Sequence, residues 1–249
     1  AVQNAQAVLA ATGANDSADQ VKALTKSVND AVDALNDDSN LAKTKQQADQ
    51  NIGQMTNLSD DQKKAAKDKI NSAKTSSAVT NAKNDAQTLN DNLGNLNPAI
   101  SEANSAKSTP NYTEADSGKQ KALDDALSEA ENAKNSNDPS AVEQATKDLQ
   151  AAQSGLNGDS NLANTKKQAD QNIDQMTNLS DDQKKAAKDK INSAKTSSDV
   201  TNAKNDAKTL NDNLGNLNPA ISAAKKAKTS SNYTEADSGK QKALDDALS

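Results

Sequence analysis

The residues best suited to chemistry fall into four small groups. Tripeptides with the N-glycan acceptor pattern occur at Asn15-Asp16-Ser17, Asn57-Leu58-Ser59 and Asn111-Tyr112-Thr113. The last two recur as Asn178-Leu179-Ser180 and Asn232-Tyr233-Thr234. In each, the Ser or Thr also stands where a helix must be capped, and capping is the reading adopted. The acidic runs Asp37-Asp38-Ser39-Asn40 and Gly158-Asp159-Ser160-Asn161 offer oxygens to calcium. An EF-type loop needs oxygens at alternating positions and a closing Glu, which neither run supplies, so solvated turns between helices are expected. Pairs such as Asp60 with Lys64 and Asp189 with Lys185 could exchange protons, but they lie four apart on helix faces and no pocket is expected around them. Exposed pairs of this kind stabilise by about 0.3–0.5 kcal/mol. Tyr112 and Tyr233, the only aromatic residues, could form a ligand platform; packing over the end of a helical bundle is the expectation.

What is missing narrows function further. The 249 residues include no Cys, His, Trp, Phe or Arg. The common zinc, haem and iron–sulfur ligand sets, the Ser-His-Asp triad and the Cys-His dyad therefore cannot be assembled. Base readout and base stacking lose their main side chains. A net charge of −6, spread evenly, offers no basic patch to nucleic acid or to a membrane surface. The expectation is a protein that is not an enzyme, with no catalytic, cofactor-binding or metal residues, no cofactor, no small-molecule substrate and no nucleic-acid partner. No run of about 18 apolar residues is present, so no membrane insertion is expected. The last residues, Ala247-Leu248-Ser249, stop inside a pattern that continues after Ala126-Leu127-Ser128. The chain reads as an excerpt, with any signal or anchor outside it.

Internal repetition sets the organisation. Asn40–Ser128 returns as Asn161–Ser249, an offset of 121 residues with 78 of 89 positions identical. A diverged stretch keeps the same offset: Val21, Val28, Ala31 and Leu35 fall opposite Val142, Leu149, Ala152 and Leu156.

Within the repeat, apolar residues step by three and four, the period of amphipathic helices. Leu162, Thr165, Ala169, Ile173 and Met176 mark one; Ala187, Ile191 and Ala194 a second; Val200, Ala203, Ala207, Leu210, Leu214 and Leu217 a third; Val142, Ala145, Leu149, Ala152 and Leu156 a fourth. Ser59 with Gln62, and Ser180 with Gln183, read as capping boxes. Thr113-Glu114-Ala115-Asp116 is expected to cap a helix, Asp138-Pro139 to place a cap before a first-turn proline, and Gly158 to end a helix in the left-handed conformation. At Gly94-Asn95-Leu96-Asn97-Pro98, and again at Gly215–Pro219, either one helix ends and another begins or a single helix runs through. The predicted class is all-α, as tandem three-helix bundles set end to end in an elongated rod. The expected units are 1–37 (partial), 38–97, 98–157, 158–218 and 219–249 (partial).

The units built on Ser180-Asp181, Ile191–Thr196 and the Val200–Leu214 helix resemble the GA module of Gram-positive surface proteins. Those with Asn111–Asp116, Lys119-Gln120 and Leu156-Asn157-Gly158 resemble the FIVAR module. GA-like units thus fall at 38–97 and 158–218, and FIVAR-like ones at 1–37, 98–157 and 219–249. Their alternation resembles the giant, secreted, Ebh-type extracellular matrix-binding proteins of staphylococci and their relatives. The resemblance implies an extracellular, cell-wall-associated array used in cell adhesion, with a host matrix or serum protein as partner. Albumin binding, known in some GA modules, fits poorly, because Asp181-Asp182-Gln183-Lys184-Lys185 is fully polar where a binder presents an apolar anchor.

Leu, Ile and Val make 33 of the 249 residues, a thin core. The alanines, strong helix formers that let helices approach closely, allow folding with modest burial. Bundles that unfold readily and reversibly, one after another under tension, are expected. A monomeric rod serving as spacer of a surface adhesin is the leading functional expectation. The alternative is a repeat that itself binds a fibronectin-like matrix partner or, less favoured, albumin.

Overall fold

The computed structural model describes residues 3, 6, 18–33, 35 and 37–249, and every regular element among them is a helix. In chain order these are α1 (Ala18–Asp33), α2 (Asp37–Gly53), α3 (Asp60–Ser72), α4 (Ser76–Ala106), the single turn α5 (Pro110–Thr113), α6 (Ser117–Ala133) and α7 (Pro139–Ser154). The second copy continues with α8 (Gly158–Asp174), α9 (Asp181–Ser193), α10 (Ser197–Ala227), α11 (Ser231–Thr234) and α12 (Ser238–Leu248). The chain forms two compact units, one of residues 1–99 with 129–147 and the other of 100–128 with 148–249.

In the first unit α2 packs on α3, and the stepped residues Ala48, Ile52, Ala66, Ile70, Val79, Ala86 and Leu89 are buried. The Ser59–Gln62 capping box starts α3 as the sequence predicts. Gln62 is itself buried, because Nε2 also donates to the carbonyls of Lys134 (2.9 Å) and Ser136 (2.7 Å). Asn57 anchors the α2–α3 loop to α4: its N–H donates to Asn90 Oδ1 and its Nδ2 to Asn90 O, both at 3.0 Å. Gly94 makes room for that amide, since a Cβ there would lie 2.8 Å from Asn57 Nδ2.

The second unit repeats these devices. Leu162, Ala169, Ile173, Leu179, Ala187, Ile191, Val200 and Ala207 form one core between α8, α9 and α10, with Met176, Ala203 and Leu214 packed at its margin. Ser180 and Gln183 form the second capping box. Asn178 and Asn211 repeat the loop anchor beside Gly215.

The choice left open at the prolines is decided. Pro98 and Pro219 lie inside α4 and α10, helices of 31 residues each that run through without a break. An interior proline costs a helix about 3 kcal/mol. Around Pro98 the burial of Leu93, Leu96, Ala99, Ile100 and Ala103 opposes that cost.

Other local expectations need correction. Asp37–Asn40 and Gly158–Asn161 are not interhelical turns; they open α2 and α8, and in α8 Asp159 suits the positive end of the helix. Gly158 does not end a helix in the left-handed conformation. It begins α8 pressed against the chain at α5, where a Cβ would sit 2.4 Å from Pro110 O and 2.5 Å from Asn111 O. Thr113 closes the turn α5 instead of capping α6. Lys64 pairs with Asp68 (2.7 Å), four positions on, and not with Asp60, four positions back. Lys185–Asp189 forms as expected at 2.7 Å, and Asp138 accepts from Ser140 N at 2.9 Å ahead of Pro139. Asn15-Asp16-Ser17 lies outside the described residues.

Candidate functional site: a polar joint around Glu114 and Asn161

Within the second unit, the segment 111–116 meets the start of α8 through side-chain amides and carboxylates. Asn111 Oδ1 accepts from Asp159 N (3.2 Å). Asn157 and Asp116 clasp each other twice, Asp116 N to Asn157 Oδ1 (3.1 Å) and Asn157 Nδ2 to Asp116 Oδ2 (2.8 Å). Asn161 Nδ2 reaches both Glu114 O (3.0 Å) and Asp116 Oδ1 (3.1 Å). The Glu114 carboxylate extends further and accepts from Ser197 N (3.1 Å), capping the first turn of α10 from outside its own segment. One six-residue stretch thereby holds the beginnings of two later helices. The amides donated by Asn157 first and Asn161 second keep the Asp116 carboxyl below the usual carboxylate range.

A second cluster steadies that stretch. Tyr112 O–H donates to the Asp124 carboxylate (2.9 and 3.0 Å), Lys107 Nζ pairs with Asp124 at 2.8 Å, and the same ammonium lies 5.7 Å from the Tyr112 ring centre. Lys107 above all, then Tyr112, holds Asp124 below its ordinary value. The hydrogen bond to Asp124 raises both Lys107 and Tyr112. Lys228, Tyr233 and Asp245 repeat the arrangement. Each Tyr is half-buried and sits inside a short helical turn.

An open groove of about 980 Å³ runs beside the joint, bounded among others by Ser105, Thr109, Pro110, Gln153, Leu156 and Asp159. None of these groups is an activated nucleophile, and no aromatic ring faces it. Among the described residues no cluster of three acidic, His or Cys side chains could hold a metal, and no helix is long and apolar enough to cross a membrane.

Three of the acceptor asparagines are engaged: Asn57 and Asn178 anchor loops, and Asn111 accepts from Asp159 N. The joint residues Glu114, Asn157 and Asn161 are invisible to periodicity, being polar and outside every apolar stripe. Two signals bear on them: the internal repetition, which keeps Asn111-Tyr112-Thr113-Glu114-Ala115-Asp116 unchanged at 232–237, and the resemblance to the FIVAR module, which rests on that stretch and on Leu156-Asn157-Gly158.

Comparison with known proteins follows the same alternation. The GA module model matches residues 38–92 and 159–213, and the FIVAR domain model matches 1–36, 92–157 and 213–249. The extracellular matrix-binding protein EbhA of Staphylococcus aureus strain Mu3 is 38% identical over 253 residues, taking in 100% of this chain and 4% of the relative. EbhB of strain Newman is likewise 38% identical over the whole chain and 4% of its own length. A crystallised domain of EbhA from Staphylococcus aureus superposes with a TM-score of 0.76 at 30% identity, over 84% of this chain and 85% of that one.

Proposed function

Because the chain belongs to the family of GA–FIVAR repeats found in staphylococcal Ebh-type proteins, we propose that it is a spacer segment of an extracellular, cell-wall-associated adhesin. The links on this reading are the bundles 38–97, 98–157 and 158–218. The observation that carries it is the joint: Glu114, Asp116, Asn157 and Asn161 tie one link to the first turns of the next. Through-helices such as α10 leave no slack at the other kind of boundary, since one rod of 31 residues serves both sides.

Chains lengthened by further 121-residue repeats test this. The maximum dimension in small-angle scattering rises by a constant increment per repeat, and a dimension that stays level overturns the proposal. Replacing Glu114 and Asn161 together by Ala lowers the mean dimension by loosening the joint.

The relatives' shared name, extracellular matrix-binding protein, favours a second reading in which the repeats themselves hold a matrix protein. Retention of the chain on immobilised fibronectin, saturable and competed by the soluble chain, supports it. Passage without retention leaves the spacer alone.

A further inference from the structure

The stretches 40–128 and 161–249 differ at eleven of 89 positions, and six of those differences fall within the nine residues 102–110. Glu102, Asn104 and Ser105 stand where the second copy has Ala223, Lys225 and Lys226, a difference of three charges. Both stretches are helical at matching positions inside α4 and α10, and all six side chains are exposed. The exchange therefore alters a surface and leaves the helix alone. In the first copy that surface is one wall of the open groove of about 980 Å³, which lies wholly within the second compact unit. Glu102 and Ser105 line it from α4, and Gln150 and Gln153 line it from α7, with amides able to donate to and accept from a peptide backbone. Glu102 and Asp159 bring two carboxylates to the groove, and none of its lining residues is a lysine. Lys107, the cation nearest to Glu102 in sequence, is held by Asp124. An open groove without an aromatic floor does not enclose a small molecule, whereas a chain segment lying along it keeps both its ends in solvent.

We propose that this groove takes an extended peptide segment of a partner protein, one that carries lysine or arginine side chains. Glu102 and Asp159 are its counter-charges, and Gln150 and Gln153 hold its backbone. Charge complementarity selects the occupant: a basic segment meets two carboxylates and no competing ammonium, while an acidic one is repelled. The wall at 102–105 sets the specificity, because Lys225 and Lys226 at the same helical positions of the second copy repel the segment that the first copy attracts. Copies that share a scaffold thus differ in what their walls accept. This inference goes beyond the spacer reading and does not rest on it, since rod length and peptide capture are measured apart.

Fluorescence anisotropy on the full chain tests it, with a labelled short peptide of alternating lysine and serine and a second peptide with glutamate in place of lysine. The lysine peptide binds saturably and the glutamate peptide does not. Glu102→Ala with Ser105→Lys weakens binding by about tenfold. These are the residues that α10 carries at the same positions, so the helix tolerates them, and circular dichroism confirms unchanged helix content. Asp159→Asn, which keeps the side chain's shape, lowers affinity in the same direction. Gln46→Lys with Gln87→Lys adds the same charge away from the groove, again with residues of the second copy, and leaves binding unchanged. Absence of saturable binding, equal binding of the glutamate peptide, or equal weakening by the two double variants overturns the proposal, the last because it marks attraction to net charge alone.

Discussion

At the level of single residues, close approach and hydrogen bonding govern what each position tolerates. Gly158→Ala forces a Cβ into the Pro110 and Asn111 backbone, which cannot swing aside as a side chain could. It should destabilise by about 1–3 kcal/mol, as overpacking does, read from urea midpoints. Asp124 and Asp116 titrate lower in the folded than in the unfolded chain. Their share of stability is complete above the ordinary carboxylate value of about 4 and is lost as pH falls through the folded values. Lys107 and Tyr112 titrate higher when folded, so their share is complete below about 10 and is lost as pH rises. The melting temperature therefore stays level across neutral pH and drops on both sides. Asp124→Asn makes both limbs shallower, since it removes the group on which the Lys107 and Tyr112 shifts depend, while Asp116 and the Lys228–Tyr233–Asp245 cluster keep theirs.

At the level of helices, what could be read from sequence was what is local. The capping boxes at Ser59 and Ser180 involve a side chain and a backbone three residues apart, so the two residue types announce them. The second role of Gln62 lies 72 residues away in sequence and gives no local signal. The two copies supply the control for it. Gln62→Ala loses the box and the bonds to Lys134 and Ser136, while Gln183→Ala loses the box alone. The first should cost about 1–2 kcal/mol more, by thermal or urea unfolding. Gly158 was misread for a related reason. Composition marks a glycine as special but does not say whether the need is a turn or a neighbour's backbone, and here it is the neighbour. Pro98 posed two readings because a proline next to a capping Asn suits a helix start as well as an interruption. The helix runs through both prolines, with buried neighbours at Pro98 and with Leu217 half-exposed at Pro219, so burial alone does not decide between the readings.

For the molecule as a whole, the periodic apolar pattern foretold an all-α fold because helical amphipathicity survives even a thin core. The joint escaped it because asparagines and carboxylates carry no period. Hydrogen exchange should report the unequal covering of the two copies: amides at 208–227 exchange faster than those at 87–106, following the exposure of Leu210 and Leu217. Salt should matter little. The ion pairs are predominantly exposed neighbours four apart on one helix, such as Lys64–Asp68 and Lys185–Asp189. A roughly tenfold rise in ionic strength is expected to move the melting temperature by no more than about 2 °C. The Asn57–Asn90 anchor and the Asn157 and Asn161 amides, neutral donors all, lie outside the reach of screening.

That reliance on amides has a chemical consequence over time. Asn157 is followed by Gly158, the neighbour that least hinders attack of a backbone nitrogen on an asparagine side chain. Hydrolysis there would turn the Nδ2 donor facing Asp116 into a carboxylate, replacing a 2.8 Å hydrogen bond with two like charges. The joint thus carries, at one residue, a clock that runs by deamidation.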